Sequence, residues 1–182
     1  MKLLKNIFAV ATCFYLAACS SGAKVENMIY KGEKQQYNSE IKENVTLASV
    51  TGGEETNPAW TSEISDESFS GAIIKSLKNQ GLYSENGKYN LSVEMVEVDQ
   101  PIVGFDMTVT TVVQYVLTEK SSGEIILDKK VSATYTATVG DAFLGTERLK
   151  LANEGSGQKN ITGLIDLLAG LNLDINQISI AK

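Results

Sequence analysis

The sequence predicts an α+β domain, an antiparallel sheet of about four strands with two helices on one face, in the order β-α-β-β-β-α. Three observations carry this. Residues 105–117 and 125–139 hold a period-two apolar phase across a short break containing Gly123, the mark of a long antiparallel hairpin. Residues 65–81 combine a cap, an apolar face at helical spacing and a closing glycine. Helical spacing returns after the hairpin, in Leu149, Ala152, Ile161, Leu164, Ile165 and Leu168.

Taken in order, "NVTLASV" (44–50) is rich in β-branched residues and predicts the first strand. The loop that follows has turn signals at Gly52-Gly53 and Asn57-Pro58. In the first helix Ser65 or Asp66 is the cap, and Phe69, Ala72, Ile73, Ser76 and Leu77 share a face. Asp66 and Glu67 at its start and Lys75 and Lys78 toward its end suit the helix dipole, and Gly81 closes it. Tyr89, Leu91, Val93 and Met95 alternate with polar residues, then Val96 and Val98 shift the phase, which predicts a bulge or a second buried face.

The hairpin strands are expected to bury Phe105, Met107, Val109, Thr111, Val113, Tyr115 and Leu117, then Ile125, Leu127, Val131, Ala133, Tyr135, Ala137 and Val139, with Lys129 the exception. In the second helical region Gly155 and Gly157 each cost about 1 kcal/mol against Ala. They therefore predict either a break or close backbone packing on the sheet. Residues 172–182 fit an edge strand or a frayed end equally.

The amino terminus has a different logic. Lys2 and Lys5 precede "IFAVATCFYLAA", an apolar run of signal-peptide length and too short to span a bilayer. Leu16-Ala17-Ala18-Cys19 matches the bacterial lipobox. That resemblance implies a diacylglycerol on the Cys19 sulfur, cleavage before it and acylation of the new amino terminus, so that Cys13 is lost with the signal. Several acyl chains hold a protein on a membrane where a single one is marginal. Ser20 and Ser21, in place of the Asp that retains enterobacterial lipoproteins in the inner membrane, imply by resemblance the outer membrane, with the domain facing the periplasm. The expected organisation is a signal peptide at 1–18, a lipidated cysteine and flexible tether at 19–42, and a single domain at 43–182. The tether is polar and weakly patterned, and Tyr30 and Tyr37 are the residues that would dock it if it is not loose.

About 160 mature residues, in a chain 43% hydrophobic and 21% charged, suit one globular domain. Loss of Lys2 and Lys5 takes the formal charge from −6 to −8, and Arg148 is the only arginine. A protein this acidic lacks the basic stripe that nucleic acid requires, and lipopolysaccharide phosphates are disfavoured on the same ground.

The strand phrase beginning "DMTVT" and the helix phrase "ERLKLANEGS" lie in a stretch, roughly 44–170, that resembles small outer-membrane lipoproteins. These share the fold of the lipopolysaccharide-assembly lipoprotein, and a broader set of uncharacterised envelope lipoproteins is similar. The resemblance implies an accessory role facing a protein or lipid. It supplies no site residue beyond the lipidated Cys19.

No catalytic, cofactor or metal site is expected. The chain contains no histidine, which removes the commonest general base and the His-dependent triads and metal centres. Ser21-x-x-Lys24 and Ser39-x-x-Lys42 imitate a penicillin-binding pair but lie in the tether without its partner motifs. "GDAFLGT" (140–146) has phosphate-loop glycine spacing, lacks the lysine and carries Asp141, which would repel a phosphate. Glu94, Glu97 and Asp99 read as a solvated face without calcium-loop spacing.

Two readings of function stand at this level. One is a non-enzymatic accessory lipoprotein, held to the membrane by its acyl chains, that docks on an envelope protein. The other is a small-molecule or lipid binder using the sheet face that the helices leave open. The candidate contact residues are Trp60, Asp141, Phe143 and Arg148. Aromatic side chains in loops are either contact hot spots or plugs for the sheet ends. Arg148, in the first turn of a helix, opposes the dipole and is expected either to be solvated or to find Asp141, another carboxylate or several carbonyls.

Overall fold

Strands β2 (Tyr89–Asp99), β3 (Met107–Glu119) and β4 (Ile125–Ala137) form an antiparallel meander in which Val113 lies between Met95 and Val131. The computed structural model describes residues 21–57 and 61–173. Along β3 the odd-numbered side, Met107 to Leu117, is buried and the threonine-rich side is not, as the period-two pattern requires. The phase shift in β2 is a bulge between Met95 and Glu97, which turns Val96 outward.

Strand β1 (Val45–Thr51) completes the sheet in the order β1-β2-β3-β4, but it runs parallel to β2. The sheet is therefore mixed rather than wholly antiparallel. One helix, α2 (Asp66–Gln80), lies in the crossover from β1 to β2, so the chain doubles back twice and the two strands point the same way.

Three residues leave the inward phase expected of the hairpin. Phe105 and Val139 lie beyond the last paired residues, Met107 and Ala137, where alternation no longer assigns a face. Ile125 is exposed because a register shift sets it opposite Thr118.

Ser65 caps α2 by accepting the Ser68 N–H at 3.2 Å, and Gly81 ends the helix at φ 73°, a left-handed conformation that favours glycine. Helix α3 (Gly145–Ala169) runs without a break. Close approach explains its glycines: a Cβ on Gly155 would meet the Tyr135 ring, and one on Gly157 would meet Met28.

Both helices pack on one face, burying Phe69, Ile73 and Leu77 of α2 and Ile161, Leu164 and Leu168 of α3 against Leu91, Tyr115 and Leu117. A polar thread crosses this core. The Tyr115 hydroxyl donates to Asn160 Oδ1 at 2.8 Å, and Asn160 Nδ2 reaches the Thr111 and Val131 carbonyls. The Ser156 hydroxyl donates to the Ala133 carbonyl at 2.9 Å. These bonds satisfy groups whose burial would otherwise be costly, and burial holds the Tyr115 phenol well above its ordinary pKa.

Within the expected tether, residues 23–41 are part of the domain. They form a strap across the helices, with the short helix α1 (Val25–Met28) and a 3-10 helix (Ser39–Ile41). Ala23, Met28, Tyr37 and Ile41 are buried. Glu154 accepts from the Lys24 N–H and from Asn27 Nδ2, the Tyr30 N–H reaches Ser76 Oγ at 3.0 Å, and the Tyr37 hydroxyl donates to Gln80 at 2.6 Å. The strap explains why α2 and α3 bury Ser76, Gln80 and Glu154. The folded unit thus begins well before residue 43. Among the described residues no helix is long and apolar enough to cross a membrane.

Candidate functional site

The loops at 100–106 and 138–144 meet at one end of the sheet, and Arg148 ties them together. Only 7% exposed, it donates through Nη1 to the Ala142 and Phe143 carbonyls at 2.9 and 2.7 Å and through Nη2 to the Gly104 carbonyl at 3.3 Å. Its Nε has no hydrogen-bond partner. Three carbonyls, rather than a carboxylate, offset the unfavourable position of this cation in the first turn of α3. Asp141 turns away and accepts from the Thr138 N–H and hydroxyl at 2.7 and 2.9 Å, which holds its carboxyl below the usual range.

With their carbonyls drawn inward, the two loops turn apolar side chains outward. Ile102, Val103, Phe105, Phe143 and Leu144 are 93, 83, 86, 89 and 60% exposed. Beneath them lies a groove of about 430 Å³ whose lining includes Met107, Leu144 and Leu149. Phe143 therefore plugs nothing. Cys19 and Trp60 lie outside the described residues. The periodicity of the chain does not mark Ile102, Val103 or Leu144, although the apolar run "PIVGF" between two strands is a readable signal. Phe105 continues the β3 phase, and that continuation is what assigns it to the core in one dimension.

Next to this end, Glu63 faces a small acidic hollow of about 160 Å³ that also touches Glu54 and Glu97. Burial raises its carboxyl pKa, opposed by the hydrogen bond from Gln100 Nε2 at 2.6 Å. Gln100 in turn accepts from Asn153 Nδ2, which also reaches the Ser62 carbonyl. Among the described residues no group of three His, Cys, Asp or Glu is placed to hold a metal ion.

The sheet face away from the helices is polar. Thr108 pairs with Thr136 and Thr110 with Thr134 through hydroxyls at 2.9 Å, and Gln114 bonds Asp128. Val112 and Val116 lie half-buried among these polar groups.

No family model and no curated protein matches this chain. Its fold is similar to that of a Xanthomonas campestris protein of the DUF330 family, with a TM-score of 0.52 at 10% identity over 71% of this chain and 86% of that one. Looser likenesses are a PelC dodecamer of Paraburkholderia phytofirmans (TM-score 0.49, 18% identity, 75% and 95% covered) and a minor lipoprotein of Acinetobacter baumannii (0.45, 12%, 71% and 92%). The first likeness shows a shared fold.

Proposed function

We propose that the mature protein is a non-catalytic accessory lipoprotein, anchored through Cys19 in a bacterial outer membrane with its domain toward the periplasm, and that it docks there on another envelope component. The observation that carries the docking is the apolar end. Five large side chains on two braced loops face outward, where solvated loops ordinarily carry polar residues. The lipobox at 16–19 supports the anchor. Binding of a lipid or small molecule on the open sheet face has less in its favour, since hydroxyl pairs occupy that face.

Two measurements test this reading. Cys19→Ala is expected to leave the precursor unacylated and to move the mature-size domain out of the membrane fraction. Retention of a fully processed Cys19→Ala protein in membranes refutes the anchor. A photo-crosslinker at Phe143 is expected to form adducts with envelope components, whereas one at Ser121, on the opposite end of the sheet, is not. Equal labelling from both positions refutes docking by this end.

A further inference from the structure

We infer that the apolar end is a membrane-contact surface: the loops at 101–106 and 138–144 press against the leaflet that holds the Cys19 acyl chains, and Phe105 and Phe143 enter its headgroup–acyl boundary. This rests on the anchor reading above and names the envelope component that the end meets.

The path of the strap selects that end. The Ser21 carbonyl accepts from Ser62 Oγ at 3.0 Å, and the Ala23 N–H donates to the Glu63 carbonyl at 2.9 Å. Ser62 is held level with Asn153, about 12 Å along α3 from Gly145 and the apolar loops. Only Ser20 separates Ser21 from Cys19, so these two Cα atoms are at most about 7 Å apart. From Ser21 the strap runs the other way, to Glu43 beside Gly81 at the opposite end of the sheet. A loose tether would let any face of the domain meet the bilayer. A docked strap holds Ser21, two residues from the acylation position, on the side of Phe105 and Phe143.

The chemistry of the loops fits a lipid surface and not a charged one. Neither loop contains a Lys or Arg, while Asp106 and Asp141 lie within them and Asp99 just before the first. Contact must therefore come from apolar insertion, independent of anionic headgroups. Irregular backbone entering an apolar layer needs its carbonyls satisfied. Arg148 provides this for Gly104, Ala142 and Phe143 and keeps its own charge buried behind the loops.

The test uses the full chain, processed and acylated in cells, then reconstituted into phosphatidylcholine vesicles with brominated acyl chains. Ile102→Cys, Phe143→Cys and Ser121→Cys each carry one environment-sensitive fluorophore, and the intact mass of every sample reports acylation. Bromolipid quenching several-fold stronger at Ile102→Cys and Phe143→Cys than at Ser121→Cys, and insensitive to added salt, is the expected result. Adding Phe105→Asp is expected to reduce the quenching at Ile102→Cys. Equal, weak quenching at all three sites on acylated protein overturns the membrane contact and leaves the anchor standing. Shielding of position 143 by crosslinking to a second copy, without lipid quenching, also overturns it. A mass showing no acyl groups overturns the anchor reading, and this orientation falls with it.

Discussion

The Tyr135 ring occupies the space that a Cβ on Gly155 would take, and Lys159 Nζ, one turn further along α3, lies 5.4 Å from the same ring. The helix thus accepts a residue of poor propensity in its interior to let β4 approach. Gly155→Ala gains about 1 kcal/mol of helix propensity, whereas an extra methyl in a packed contact costs about 1–3 kcal/mol. We expect a net loss of stability in urea unfolding, and a Gly155→Ala loss that shrinks in a Tyr135→Ala background. A Gly155→Ala protein more stable than wild type would show that the ring moves aside freely.

Arg148→Lys keeps the charge but loses the planar fork that reaches three carbonyls. Faster amide exchange is expected at 101–106 and 138–144, while β2 and β3 remain protected. The measurement is hydrogen exchange read by mass spectrometry, and unchanged protection in both loops counts against Arg148 as their brace.

Val113 is fully buried, whereas Thr110, on the other side of the same strand, pairs with Thr134 on the open face. Val113→Asp buries a charge without a partner and is expected to cost about 4 kcal/mol or to prevent folding. Thr110→Asp is expected to cost under about 1 kcal/mol. Thermal melts of the two variants decide the matter; equal shifts would mean the buried side of β3 is misassigned.

Glu154 is buried and holds the strap through the Lys24 N–H and Asn27 Nδ2, at 3.0 and 2.8 Å. Hydrogen bonds to a charged acceptor contribute about 1.5–3 kcal/mol. Glu154→Ala is therefore expected to release residues 23–30 to limited proteolysis while the sheet stays folded. In the vesicle experiment it should blur the difference between the two ends, because a freed strap no longer orients the domain. Proteolytic resistance equal to wild type would place the strap's grip elsewhere, at Ser62, Glu63, Ser76 and Gln80.

Much of the fold is readable from the chain. The meander, the bulge after Met95, the buried odd-numbered side of β3 and the limits of α2 from Ser65 to Gly81 all rest on local signals: a period of two, a hydroxyl cap, a left-handed glycine. Of the candidate contact residues, Phe143 and Arg148 are visible as oddities of type, an aromatic in a loop and a lone arginine at a helix start.

The direction of β1, the strap and the apolar end were decided by tertiary structure. Element order allowed β1 to sit in the sheet, and its pairing with β2 made it parallel. Ala23, Met28, Tyr37 and Ile41 share no period, because an extended segment buries a residue wherever a groove lies beneath it, and those grooves exist only once α2 and α3 are in place. Phe105 looks like a core residue in one dimension, and periodicity assigns Ile102 to neither side. They face outward because strand pairing ends at Met107 and because Arg148, arriving from the first turn of α3, draws the nearby carbonyls inward. Periodicity records which side of an element is buried; which unpatterned residues find cover depends on partners distant in the chain.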